Sequence, residues 1–326
     1  MSPEAVLGTL VPLASSLALL VAVVLVVWWY DRYDREPLGL VAAVFVAGFA
    51  AATALGMVLE PARTAAASNL WADAVAPLLP RALLTPGVAE LAKAAVLVVA
   101  AGVTRRLENP TDGLVLGAAA GLGFAAANGT DEGLSGVVAS LVALPEVIVR
   151  AAVHALSSGS LGVLLGIGAL GAAGWWKLAS GLAGVAAALL VHGGWSVAMA
   201  ASGALSPQRW LALAPVLLCL WIGLLAGALA VEHRVLVREL AEEVRLGVLP
   251  AWVIEVLPRY RSRVRVDWRP ERSERVVISR VLTRLAFRKH AIAGLPEDEA
   301  RLAGLEVVSL RRRARRSLGV QVNPES

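Results

Sequence analysis

The chain has 326 residues, of which 58% are hydrophobic and only 17% charged, with a formal net charge of +5. That composition excludes an ordinary water-soluble domain and a disordered chain, and it points to a polytopic membrane protein. Residues 1–231 hold 10 Lys/Arg and 12 Asp/Glu, whereas residues 232–326 hold 20 and 13, so the cationic surplus belongs to the C-terminal part and reads as a membrane-proximal cytoplasmic region rather than a nucleic-acid site.

The first apolar run, 5–30, is too long for the core of a signal peptide and has Glu4 as its only early charge, so it is expected to be a retained helix. A membrane span needs about 20 apolar residues. The later candidates are 38–59, 86–103, 112–129, 147–172, 178–202 and 210–231, which makes about seven helices in an all-α transmembrane bundle. The short apolar stretch 133–145 is expected to extend the 112–129 helix or to lie at the outer surface; a separate crossing would make eight spans. Cys219, the single cysteine, excludes an intramolecular disulfide. Arg32, Arg35, Arg105, Arg106, Lys177 and the basic tail fall on one side of this topology, against Arg63, Arg81 and Arg209 on the other. This bias predicts a cytoplasmic membrane of bacterial type, with the N-terminus outside and the C-terminus inside.

Two domains are expected, the membrane bundle over 1–231 and a basic, amphipathic helical tail over 232–326. Pro258, Pro270, Gly294-Leu-Pro296 and Gly319 break that tail into short helices. Pro296-Glu-Asp-Glu299 is a helix start with acids in its first turn, and the cations of Arg311–Arg316 fall near the same helix's end. The tail's expected partner is a surface of anionic lipid headgroups, the alternative being a solvated helical face.

Glu90, Lys93, His154 and His192 lie inside segments that otherwise read as membrane-buried. A charge at the bilayer centre costs roughly 2.5 to 3.5 kcal/mol on insertion scales, so such residues face a bundle interior and mark a site. Glu90 and Lys93, three apart, share a helix face and can neutralise each other. Glu146, Arg150 and His154 form one stripe at i, i+4 and i+8, which would orient the imidazole. His192, in Leu190-Val-His-Gly-Gly-Trp-Ser196, needs a hydrogen-bond partner, a metal or a substrate. Within the topology above, Glu90, Asn128, His154 and His192 fall at similar depths in the outer leaflet. Glu90, His154 and His192 together make a His₂Glu set of the kind that holds zinc, without a His-Glu-x-x-His signature.

Several stretches in order resemble the motifs of PrsW-type intramembrane proteases, a family similar to the CAAX-prenyl-protease and bacteriocin-immunity superfamily. They are Asp31-Arg-Tyr-Asp-Arg-Glu-Pro-Leu38, Ala89-Glu-Leu-Ala-Lys93, Asn109-Pro-Thr-Asp-Gly113, Gly121-Leu-Gly-Phe-Ala-Ala-Ala-Asn128, Arg150-Ala-Ala-Val-His154 and His192-Gly-Gly-Trp-Ser196. The resemblance implies proteolysis of a single-span membrane protein such as an anti-sigma factor. It implies Glu90, His154 and His192 as catalytic residues, with Lys93, Asn128, Arg150 and Asp112 in support. The chemistry would be of metallo type, with one zinc ion on His154, His192 and Glu90, or of glutamic type with none.

This chain departs from the family's pattern at three positions. Ala89 stands where the family has the first of two glutamates, Ala127 stands where a glutamate precedes Asn128, and Ser196 replaces a usual asparagine. Methyl groups take no proton, so a second reading is a pseudoprotease that keeps the cavity and sequesters a transmembrane partner. A transporter is the third reading, and the chain lacks the inverted repeats of broken helices that such proteins use.

Overall fold

The computed structural model describes residues 17–22, 36–69, 84–104, 106–130, 137–171, 174–202, 207–259, 271–293 and 295–319, together with Val6, Ala14, Ser262 and Trp268. These residues are 90% helical and contain no strand. The described helices are α1 (Leu38–Asn69), α2 (Thr85–Thr104), α3 (Pro110–Thr130), α4 (Val137–Leu170), α5 (Gly174–Ser202), α6 (Pro207–Arg245), α7 (Trp252–Val256), α8 (Arg272–Ile292) and α9 (Glu297–Leu318). Six of them, α1 to α6, are long and apolar enough to cross a membrane, so the chain is a polytopic helical bundle as its composition predicts. The 5–30 helix lies mostly outside the described residues; within the part that is described, Leu20 packs into the central core.

Helix α3 is the axis of the bundle, and its membrane-spanning window is buried throughout. Such a helix must be small on every side, and this one is built from Gly113, Gly117, Gly121, Gly123 and runs of alanine. A Cβ at Gly113, Gly117 or Gly121 would overlap the α4 backbone at Gly162, Ser158 or His154 respectively, and one at Gly123 would overlap the α1 backbone at Phe45. The two backbones therefore approach along a stripe spaced by four residues, the small-residue contact that membrane helices use when no hydrophobic effect drives them together. One end of that stripe rests on the carbonyl of His154.

The start of α3 is fixed by its own sequence. Asn109 accepts the backbone N–H of Asp112 at 2.8 Å, and Asp112 in return accepts that of Glu108 at 3.1 Å. With Pro110 at the first helical position, this is a reciprocal cap in which each side chain satisfies an orphan N–H. Glu232 of α6, itself buried, accepts the N–H of Thr111 at 2.8 Å and places a carboxylate at the positive end of the helix.

Two boundaries differ from expectation. The stretch 137–145 begins α4, which runs on through Pro145, instead of extending the preceding helix. Pro145 is tolerated because neighbouring helices in a bundle can satisfy the backbone groups that a proline frees. The 210–231 span continues to Arg245 as a single helix, because residues past 231 keep an apolar stripe, Val235, Leu236 and Leu240, that is buried.

That stripe forms one core with Leu170 at the end of α4 and with Leu282, Leu285, Leu310 and Leu318 of α8 and α9. Among the described residues of the tail, α8 and α9 run about six turns each and α7 is short. Helix α9 starts after Pro296 with Glu297, Asp298 and Glu299 in its first turn and closes on Gly319 at φ 68°. The positive φ there, in the left-handed region, favours glycine. Ion pairs lock this layer to α6: Arg311 donates two bonds to Glu243 at 2.7 and 2.6 Å, and Lys289 lies 2.9 Å from Glu242 and 3.0 Å from Glu243. Burial alone would lower the pKa of Lys289, yet its bonds to Glu242 and Glu243 outweigh burial and hold it above the usual lysine value.

Two glycine substitutions should separate close approach from ordinary helix propensity. Gly121→Leu should cost about 1 to 3 kcal/mol, since the α4 backbone cannot move aside freely. Gly102→Ala meets open space and should be neutral or stabilising by up to about 1 kcal/mol. Thermal unfolding in micelles checks this, and equal melting temperatures would remove the α3–α4 approach as a packing constraint.

Candidate active site

Three helices bring the buried polar residues together. Glu90 lies five residues into α2, His154 nine residues past Pro145 in α4, and His192 seven residues before Met199 in α5. Their side chains meet directly, so the three stand at one depth, in the half of the bundle away from α8 and α9. The common depth expected from the sequence holds for Glu90, His154 and His192.

Glu90, Lys93 and His154 are buried, and His192 remains 12% exposed. Glu90 Oε1 is the hub. It accepts from Lys93 Nζ, from His192 Nδ1 at 2.7 Å and from Ser157 Oγ at 3.0 Å. Lys93 Nζ also lies 3.3 Å from His154 Nδ1 and 3.4 Å from Ser157 Oγ. Below it, the ring of Phe124 takes the ammonium at 5.2 Å from its centroid, a cation–π contact that strengthens out of water. The two imidazoles meet edge to face with centroids 4.5 Å apart.

Donor and acceptor rules fix the tautomers. A carboxylate only accepts, so His192 Nδ1 carries a proton and its Nε2 keeps a lone pair when the ring is neutral. An ammonium only donates, so His154 Nδ1 accepts and its proton sits on Nε2. The pair thus presents one N–H donor and one lone pair. Beside them, Glu90 Oε2 is buried and has no hydrogen-bond partner among the described residues.

Ligand atoms from Glu90, His154 and His192 lie within 4.8 Å of one another. Donor type, spacing and the unpartnered Oε2 fit a divalent cation of the zinc class. For His154 to join through Nε2, its proton must move to Nδ1 and Lys93 must keep only Glu90 and Ser157 as partners.

The other sequence candidates fall elsewhere. Arg150 pairs with Glu146 at 2.7 Å, half-buried one turn from His154, while the atom facing His154 Nδ1 is Lys93 Nζ. Asp112 serves the cap of α3 at the opposite end of the bundle and is not brought to the cluster. Asn128 stands one turn beyond Phe124, partly buried, and makes no hydrogen bond to the cluster. Ser157 was not singled out from the sequence. Its signal was present, since it follows His154 by three residues and so shares its helix face.

Ala89 and Ala127 pack into one apolar cluster with Ala52 and Phe124. The two positions where the resemblance would place carboxylates are thus neighbours, while Glu90, about 100° further round α2, points to the histidines instead.

A family model described as PrsW family intramembrane metalloprotease matches residues 36–224. No curated protein and no solved structure matches the chain. The matched stretch spans more than half of the sequence and contains every member of the cluster built on Glu90, Lys93, His154, Ser157 and His192, so the chain belongs to the PrsW family of intramembrane metalloproteases.

Proposed function

We propose that this chain hydrolyses a peptide bond of a single-span membrane protein, a membrane-anchored regulator such as an anti-sigma factor, with Glu90, His154 and His192 as the catalytic residues. The observation that carries this is Glu90 Oε2, a buried carboxylate oxygen left without a partner beside two imidazoles of complementary protonation. Oε2 takes a proton from water, and the water oxygen adds to the scissile carbonyl. His154 Nε2–H donates to the oxygen on which negative charge develops. The proton held by Glu90 passes to the leaving nitrogen as the C–N bond breaks. Lys93 and Ser157 hold Oε1, so the carboxylate cannot rotate its free oxygen away. A divalent cation on Glu90, His154 and His192 would polarise the carbonyl and acidify the water. Access is from the α5 side, where His192 is the most exposed member of the cluster, and the site opens in the leaflet away from α8 and α9. The distribution of basic loops supports the C-terminal helices lying in the cytoplasm, with the N-terminus outside.

A second reading, a pseudoprotease that binds a transmembrane partner, is favoured by one observation, the shared apolar cluster of Ala89 and Ala127. Supplying both carboxylates tests it. If the site works as it stands, Ala89→Glu with Ala127→Glu buries charge without compensation and lowers stability and cleavage together. A gain of cleavage from a silent parent would establish the pseudoprotease.

Glu90→Gln should lower cleavage about 100-fold or more, the scale of a lost general base, when compared at matched levels of folded protein. Comparing protein N-termini in membranes that carry the parental chain or this variant checks it. New termini near a membrane span that persist in Glu90→Gln would remove Glu90 from the mechanism.

Lys93→Met should destabilise by about 3 to 5 kcal/mol, since it strands a buried carboxylate, and Lys93→Met with Glu90→Gln should recover most of that loss. Denaturant unfolding in micelles measures both, and a double variant as unstable as the single would show that Lys93 acts by packing alone.

A further inference from the structure

A cavity of about 470 Å³ lies far from the catalytic cluster, where the membrane helices meet the C-terminal layer. Its apolar part is formed by Val98 of α2 with Leu165 and Ala169 of α4. Val98 is 57% exposed, so this part is continuous with the lipid-facing surface of α2. Its polar part carries Lys177 from the start of α5 and Arg288 from α8, against the single carboxylate of Glu108.

The height of the cavity is marked by Trp175 and Trp176, both exposed immediately before Lys177. Tryptophans at a span's end sit at the headgroup level. Lys177 is exposed and makes no hydrogen bond or ion pair among the described residues. Arg288 is held by Glu306 at 3.1 Å and only reaches Glu108 at 4.0 Å, so its five-donor fork is not exhausted. Lys177, together with the donors of Arg288 that Glu306 does not take up, stands at interface depth beside Glu108 and an apolar slot open to the bilayer, an arrangement that complements a phosphate attached to acyl chains. Basic pockets between membrane helices bind such headgroups.

We propose that this cavity binds one anionic phospholipid, with its phosphate between Lys177 and Arg288 and the beginning of a chain along Val98, Leu165 and Ala169. Because Arg288 belongs to α8 while the other contacts belong to the bundle, the lipid ties the C-terminal layer to the membrane helices. This site is independent of the proteolytic reading.

Native mass spectrometry of the delipidated full chain tests it, with phosphatidylglycerol and phosphatidylcholine of matched chains as probes. The expected result is one retained phosphatidylglycerol, preferred about tenfold or more, with Lys177→Ala weakening retention about fivefold. Ala169→Trp should also lose it by filling the apolar slot while leaving both cations in place. A variant with Arg312→Ala, Arg313→Ala and Arg316→Ala, on the exposed face of α9, should retain the lipid as the parent does. Equal retention of the two lipids would overturn the proposal, as would loss only in the triple arginine variant or a co-purifying peptide in place of lipid. Should Ala169→Trp fail to fold, Lys177→Ala changes only an exposed side chain that has no partner among the described residues, and it decides the matter.

Discussion

The ion pair between Lys93 and Glu90 sets the terms for the rest of the site. Both side chains are fully buried, and two charges taken out of water are tolerated only if the remaining donors and acceptors are matched. Lys93 has three protons, and the structure offers it three acceptors, on Glu90, His154 and Ser157, with the face of Phe124 beneath. Meeting that requirement also determines the chemistry. The lone pair on His154 Nδ1 follows from where the ammonium sits, and the proton on His192 Nδ1 from the carboxylate it faces, which leaves Oε2 of Glu90 without a partner among the described residues.

Such an arrangement demands that α2, α4 and α5 stand in one register, and α3 supplies it without contributing a titratable group to the cluster. A helix with ordinary side chains along its α4 face would push the two axes apart, carrying His154 away from Lys93. With glycine at 113, 117 and 121 the backbones come into contact, so the position of His154 is set by main-chain van der Waals contact. The histidine is held from one side by packing and from the other by Lys93.

Much of this was legible in the sequence because the membrane limits the alternatives. A polar residue in an apolar span has to find partners, so Glu90, Lys93, His154 and His192 declared themselves, and span lengths placed three of them at one depth. What was not legible depends on pairing between distant segments. Asp112 carries the right chemistry for a site, yet a short helix-cap motif, Asn109-Pro-Thr-Asp112, accounts for it, and only the position of α3 in the bundle distinguishes the two roles. Ser157 is too common a residue to stand out until its helix neighbour His154 is known to face Lys93. The length of α6 was underestimated because hydropathy falls after residue 231 while its buried stripe continues, a distinction between average polarity and one-sided polarity.

That continuation has a structural consequence for the whole bundle. Helix α6 leaves the membrane core without a break, and along the way Glu232 meets the first turn of α3 while Glu239 and Glu243 meet His290, Lys289 and Arg311 of the C-terminal layer. The same helix therefore touches the positive end of the central axis and anchors the C-terminal helices within about three turns. The C-terminal layer and the backbone of His154 are thus both built on the pair α6 and α3, one through a buried carboxylate on a helix terminus and the other through a glycine contact.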